Sequence, residues 1–170
     1  MLSNPVLSGL LDESIGKGWR EDLTQLKKAD AFAEDSSFQQ KFAEVKRANK
    51  VRLAAWLQEH QGAVVDPDMV FDVQIKRLHE YKRQLMNILH VISLYDTLLE
   101  NPEYEMQPTC FFFGAKASAG YHIAKQIIKL ICAVAETIDA APAHVREKSK
   151  VVFVENYNVR AAERLIPAAD

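Results

Sequence analysis

Apolar residues recur along this chain with two periods, and they change over at its most informative stretch. Phe71, Val73 and Ile75 alternate with polar residues, the period of a strand, whereas Leu78, Leu85, Ile88, Leu89 and Ile92 recur at helical spacing. The pattern predicts a strand that runs into a helix near Arg77, continuing to about Glu100, where Asn101 and Pro102 break it. A second strand is expected over 109–113, apolar throughout as in a parallel strand buried on both faces. It ends in the run 114–121, where Ser118 is a candidate cap for a helix through Ile123, Ala124, Ile127, Ile128, Ile131 and Ala135. A third apolar strand over 151–154 precedes a short helix at 159–166, stopped by Pro167.

The first seventy residues read as helices and turns. Val6, Leu7, Leu10, Leu11 and Ile15 form a stripe that ends at Gly16 and Gly18, with Asn4 as a cap and Pro5 just inside the start. Trp19 and the segment 22–26 lead to a turn-like patch at 34–37. From Phe38 the helical period returns through Phe42, Val45, Val51, Leu53, Ala54 and Leu57 to about His60, closed by Gly62 and Pro67. Trp56 on this helix reads as a packing residue.

Three strands alternating with two long helices describe an α/β fold: a βαβαβ unit, half of a doubly wound, Rossmann-like parallel sheet with flanking helices. The expected division is a helical lead-in over 1–70 and the sheet unit over 71–170. Ligands of such sheets collect at the carboxyl ends of the strands, here Lys76 with Arg77, the turn 114–116, and 155–157. A three-stranded parallel sheet is narrow, which points to a piece of a larger domain.

Composition narrows the function classes. With 170 residues, 48% apolar and 26% charged, the chain can bury a real core. A net charge of −2 carries no global signature for nucleic acid or an anionic membrane. No apolar run approaches a membrane span, and the start lacks a signal-peptide pattern, so a cytoplasmic location is expected. Cys110 and Cys132 fall in apolar contexts without metal-ligand spacing and read as buried thiols.

Candidate chemistry therefore concentrates at the first strand end. Lys76, Arg77 and Lys82 lie where a helix start offers unpaired N–H groups, and one bound phosphate could meet all three. The bland alternative is a solvated basic helix start. The turn after the second strand lacks the order of either glycine-rich phosphate loop, GxGxxG or GxxxxGK[ST], so a structural turn is the better reading there.

The blocks FDVQIKRLHEYKRQ, FGAKASAGYHIAK and VFVENYNVRAAERLIPAAD closely resemble consecutive blocks of the glycogen (α-glucan) phosphorylases, and the pattern around Trp19, Asp22, Leu23 and Leu26 is similar as well. The resemblance covers essentially the whole chain. It implies a GT-B type fold and phosphorolysis: inorganic phosphate attacks the terminal glucose of an α-1,4-glucan, and glucose 1-phosphate leaves with retention. It also implies pyridoxal 5′-phosphate as cofactor, whose phosphate relays the proton, and a homodimeric parent.

By matching positions, the resemblance makes Lys76 a cofactor-phosphate contact, Arg77 a catalytic contact to the substrate phosphate, and Lys82 a catalytic cation shared by both phosphates. Tyr81 would hydrogen-bond the sugar, Tyr157 would pack beside the pyridoxal ring, and His79 would play a supporting part. Tyr121 matches a residue of a second, inhibitory aromatic site that needs a ring from another domain. The family often has proline where this chain has Ala119. The block carrying the Schiff-base lysine is expected beyond Asp170, so the isolated chain is expected to be inactive. Two other readings stand beside this one: a stand-alone phosphate- or nucleotide-binding module, which calls for a complete glycine-rich loop, and a helical interaction protein, which calls for contiguous exposed apolar surface on the first helices.

Overall fold

The computed structural model describes residues 2–170. Helix α1 (Pro5–Ile15) starts where the side chain of Asn4 accepts from the Leu7 N–H at 3.3 Å, and it stops at Gly16, whose φ of 77° suits glycine. Short 3₁₀ segments follow at Lys17–Arg20 and Leu23–Phe32. Trp19 is buried there, its indole N–H donating to Asp12 at 3.1 Å. Helix α2 (Ser36–Gln61) begins two residues before Phe38, because the Asp35 carboxylate accepts from both Ser37 and Phe38 N–H groups; it ends at left-handed Gly62.

The remaining elements are β1 (Val70–Ile75), α3 (Gln84–Glu100), β2 (Thr109–Gly114), α4 (His122–Asp139), α5 (Ala143–Arg146), β3 (Ser149–Val154) and α6 (Val159–Ala168). The strands form one parallel sheet in the order β1, β2, β3, with Val70 opposite Thr109 and Thr109 opposite Ser149. Both faces are covered, as the continuous apolar runs require. On one face, Leu53 and Leu57 of α2 and Ala161 and Leu165 of α6 pack on Phe71, Cys110, Phe112, Val152 and Val154. On the other, Ile88 and Val91 of α3 and Ile127 and Ile131 of α4 pack on Phe111, Phe113 and Val151. Each of the Val, Leu, Ile and Phe side chains among them, taken fully from water, contributes about 1.5–3 kcal/mol. The expected α/β sheet with flanking helices is the observed fold, and α2 shares the core of the sheet.

Three expectations need correction. The strand does not run into a helix near Arg77: a loop and a 3₁₀ turn (Glu80–Lys82) intervene, and α3 starts only at Gln84. Lys82 therefore precedes the helix. Ser118 is not the cap of α4; Tyr121 occupies that position, and Ser118 contributes only its carbonyl, which accepts from the Tyr121 N–H at 3.1 Å. Pro167 does not stop α6 but lies inside its last turn, where its missing N–H costs a single bond near the helix end. Of the two thiols, Cys110 is buried and Cys132 only partly so; burial pushes both thiol pKa values up.

Candidate functional site

The carboxyl edge of the sheet is fixed by backbone pairing that outlasts the strands. Beyond Ile75, the Lys76 N–H donates to the Gly114 carbonyl at 2.9 Å and the Leu78 N–H to the Lys116 carbonyl at 3.2 Å, so the loops after β1 and β2 travel side by side. Leu78 is buried in the core under α3 and α4, whereas Lys76 and Arg77 are exposed. One apolar anchor thus holds the loop down while its two cations stay in solvent.

The chain then reverses sharply. Within the 3₁₀ turn the Lys82 N–H donates to His79 and the Arg83 N–H to Glu80, and Arg83 adopts φ 60° before α3 begins. This turn brings Lys82 and Gln84 back onto the first part of the loop. The Lys82 ammonium donates to the Arg77 carbonyl at 3.0 Å. The buried Gln84 amide reaches the Lys76 carbonyl at 3.5 Å and the Arg77 carbonyl at 3.4 Å, long contacts that leave its own oxygen without a partner.

At the third strand end, Asn156 takes φ 50° and Asn158 caps α6, accepting from the Ala161 N–H at 3.2 Å. Between them, Tyr157 lies across the end of β2: a Cβ built on Gly114 would stand 3.2 Å from the Tyr157 ring and 2.7 Å from Ile75. Glycine is what lets the tyrosine approach. A cleft of about 370 Å³ opens there, lined by Arg77, Lys116, Tyr157, Asn158, Val159 and Ala162. It combines two cations, an aromatic ring and the N-terminal end of a ten-residue helix, an arrangement suited to a phosphorylated ligand.

Of the residues singled out in the sequence, the structure brings Arg77 and Tyr157 into this cleft and ties Lys82 to the Arg77 main chain. Lys76 and Tyr81 are exposed and contribute nothing to its lining. Tyr81 belongs to an aromatic group, with the His79 ring 4.3 Å from Tyr81 and 5.5 Å from Tyr121. The Tyr121 hydroxyl donates to the Glu80 carboxylate at 2.7 Å, and this bond holds the phenol above its ordinary pKa. Gly114 and Lys116 were placed from sequence only as part of the ligand-collecting turn 114–116, without individual roles, and Asn158 and Gln84 were not assigned. Asn158 carried a usable signal, an asparagine just before a helical period, and Lys116 stood at a strand end; Gln84 carried none.

Comparison with known proteins adds a family-level finding. The family model described as carbohydrate phosphorylase matches residues 1–170. The chain is 45% identical over 169 residues to a protein named glycogen phosphorylase from Haemophilus influenzae, covering 99% of this chain and 20% of that protein. It is 46% identical over 170 residues to glycogen phosphorylase of Synechocystis, again covering 20% of the relative. The muscle form of glycogen phosphorylase from Mus musculus is 44% identical over 170 residues, with the same 20% coverage. The chain thus spans about a fifth of the length of the curated relatives it matches.

Proposed function

The chain belongs to the carbohydrate phosphorylase family, and on that premise we propose that it forms part of an α-1,4-glucan phosphorylase, a pyridoxal-phosphate-dependent glycosyltransferase that releases glucose 1-phosphate from glucan ends. A homodimeric, cytoplasmic parent belongs to the same reading. The observation that carries it is the cleft at the carboxyl edge of the sheet, where Arg77 and Lys116 stand beside Tyr157 and the N-terminus of α6. That donor set fits a phosphorylated, ring-bearing cofactor: cations and helix N–H groups for the phosphate, an aromatic face for the ring. In this reading Tyr157 holds the cofactor ring in the cleft, and Lys76, exposed on the loop beside it, would turn in to reach the cofactor phosphate. Bound there, the cofactor would supply a phosphate group able to give and accept a proton.

The chain's own residues would act by position and charge. Arg77 binds the attacking phosphate as a charge-assisted pair, which orients it and offsets its charge. Lys82 turns from the Arg77 carbonyl toward the anions and offsets the repulsion between two neighbouring phosphates. Tyr81 hydrogen-bonds the terminal sugar.

The test uses the full-length protein that contains this chain. Arg77→Ala removes a contact on the order of 1.5–3 kcal/mol, so kcat/KM for glucan phosphorolysis should fall about ten- to hundredfold while the cofactor is retained. Lys76→Ala should instead loosen the cofactor, and Lys82→Ala should impair both. Near-native turnover and cofactor content in all three variants would overturn these assignments.

A further inference from the structure

Arg77 is held differently from its neighbours. Lys76 and Leu78 are pinned through their N–H groups to the carbonyls of Gly114 and Lys116, but among the described residues the Arg77 main chain is held only through its carbonyl. That oxygen has two donors, the Lys82 ammonium at 3.0 Å and the Gln84 side-chain amide at 3.4 Å, and the same amide nitrogen lies 3.5 Å from the Lys76 carbonyl. Successive carbonyls of an extended strand point to opposite sides, so two that converge on one nitrogen mark a bend between Lys76 and Arg77. The bend sets the direction in which Arg77 leaves the sheet edge.

Gln84 is the first residue of α3 and is only 2% exposed. Among the described residues its oxygen meets no donor, so the buried amide carries a desolvation cost that an apolar side chain would not. What it supplies in return is the pair of N–H contacts to the loop. One turn along the helix, the Asn87 amide donates to the Gln74 side-chain oxygen at 3.2 Å, so the start of α3 is tied to β1 both within the strand and past its end.

We propose that Gln84 is a positioning residue for Arg77, keeping hold of the Arg77 carbonyl when Lys82 lets go of it. The inference rests on the proposed function, in which Lys82 turns toward the anions. Once the ammonium leaves, the carbonyl keeps one donor, and that donor stands on the first turn of a 17-residue helix whose Ile88 and Val91 are packed in the core. The root of Arg77 therefore stays in place while Lys82 moves. Gln84 is no part of the cleft lining, so it acts through Arg77 and not on a ligand.

The test uses the full-length protein that contains this chain, with Gln84→Met, which keeps the side chain's length and removes its donors. The variant should fold, as checked by circular dichroism, while KM for inorganic phosphate rises about tenfold and cofactor content stays native. Gln84→Leu, shorter and equally without a donor, should do the same. In an Arg77→Ala background Gln84→Met should cost almost nothing further, whereas a general structural lesion would cost the same factor in both backgrounds. Backbone hydrogen exchange over residues 76–83 should quicken about tenfold or more in Gln84→Met and stay native elsewhere. A native phosphate KM in both Gln84 variants, equal losses with and without Arg77, or unchanged exchange over 76–83 each overturns the inference. A native protein that performs no phosphorolysis overturns the functional reading instead, and the exchange measurement then decides by itself whether Gln84 holds the loop.

Discussion

One absent β-carbon decides how the third strand end closes on the second. Because Gly114 lets Tyr157 lie against the backbone, Gly114→Ala should push the ring or the Ile75 side chain aside. The expected cost is about 1–3 kcal/mol of stability, the range for overpacking, read as a lower midpoint in urea denaturation. The closest approach, 2.7 Å, is to the Ile75 γ-methyl, which alanine lacks, so Gly114→Ala should cost less when it is introduced into an Ile75→Ala background than into the native chain. The requirement for glycine was not legible in the sequence, because Gly114 reads equally well as an ordinary turn residue after an apolar strand. Arg83 presents the same difficulty in reverse. Its φ of 60° is a conformation that sequence reasoning assigns to glycine or asparagine, and nothing in HEYKRQ announces it.

Among the elements, the joint between α6 and β1 depends on charges from α2. The Lys46 ammonium bonds the carbonyl oxygens of Ala169 and, at 3.4 Å, Pro167, while Lys50 bonds the Met69 carbonyl at 3.0 Å and pairs with the Asp170 carboxylate. Partial burial alone would raise the Asp170 pKa, but Lys50 and the Phe71 N–H outweigh it and hold the value below the ordinary 3.8. A carboxylate with a lowered folded-state pKa stabilises the fold above its unfolded value, and that contribution fades as pH falls through the folded value. Asp170→Asn should therefore lower stability at neutral pH and flatten its pH dependence below about pH 4, as followed by urea unfolding across an acid series. An unchanged acid profile would contradict this account.

The strands, their order and both core faces followed from apolar runs that leave little freedom in how a parallel sheet is buried. The start of α3 did not follow, because, of the stripe Leu78, Leu85, Ile88, Leu89 and Ile92, only Ile88 is buried by the helix and Ile92 partly so, while Leu78 is buried from the loop before it. Leu85 and Leu89 are exposed, and the buried side is Gln84, Ile88, Val91 and Leu98. A polar residue at a core position and leucines in solvent shift the apparent phase of the helix by one residue, which also misplaced Lys82.

For the molecule as a whole, the proposed function calls for parts of the parent protein besides the residues that line the cleft. The cleft of about 370 Å³ is built from one sheet edge and one helix start, and the chain spans about 20% of its relatives' length. Incubated with phosphate, a glucan and pyridoxal phosphate, the purified 170-residue chain should release no glucose 1-phosphate and form no covalent link to the cofactor at the family's position. Release of glucose 1-phosphate at a rate dependent on phosphate would show that the cleft suffices. The family and the cationic strand end were legible because motif residues sit at chain-specific spacings. The meeting of the three strand ends was legible as well, but Asn158, Val159 and Ala162 were not, since the cleft extends past the third strand end onto the first turns of α6.

The pairing of the two loops beyond β1 and β2 has a further consequence. Arg77 and Lys116 stand on backbone segments laced together by the bonds to Gly114 and Lys116, so the main chain fixes where both side chains start, while their exposed charged ends remain free to turn. The electrostatic work of bringing two like charges to one cleft is done once, during folding, where burial of Leu78 and the sheet core offsets it. In the proposed function an arriving anion would find both cations rooted on one sheet edge, and the reorganisation left to perform would be that of the side chains, Lys82 turning from the Arg77 carbonyl among them.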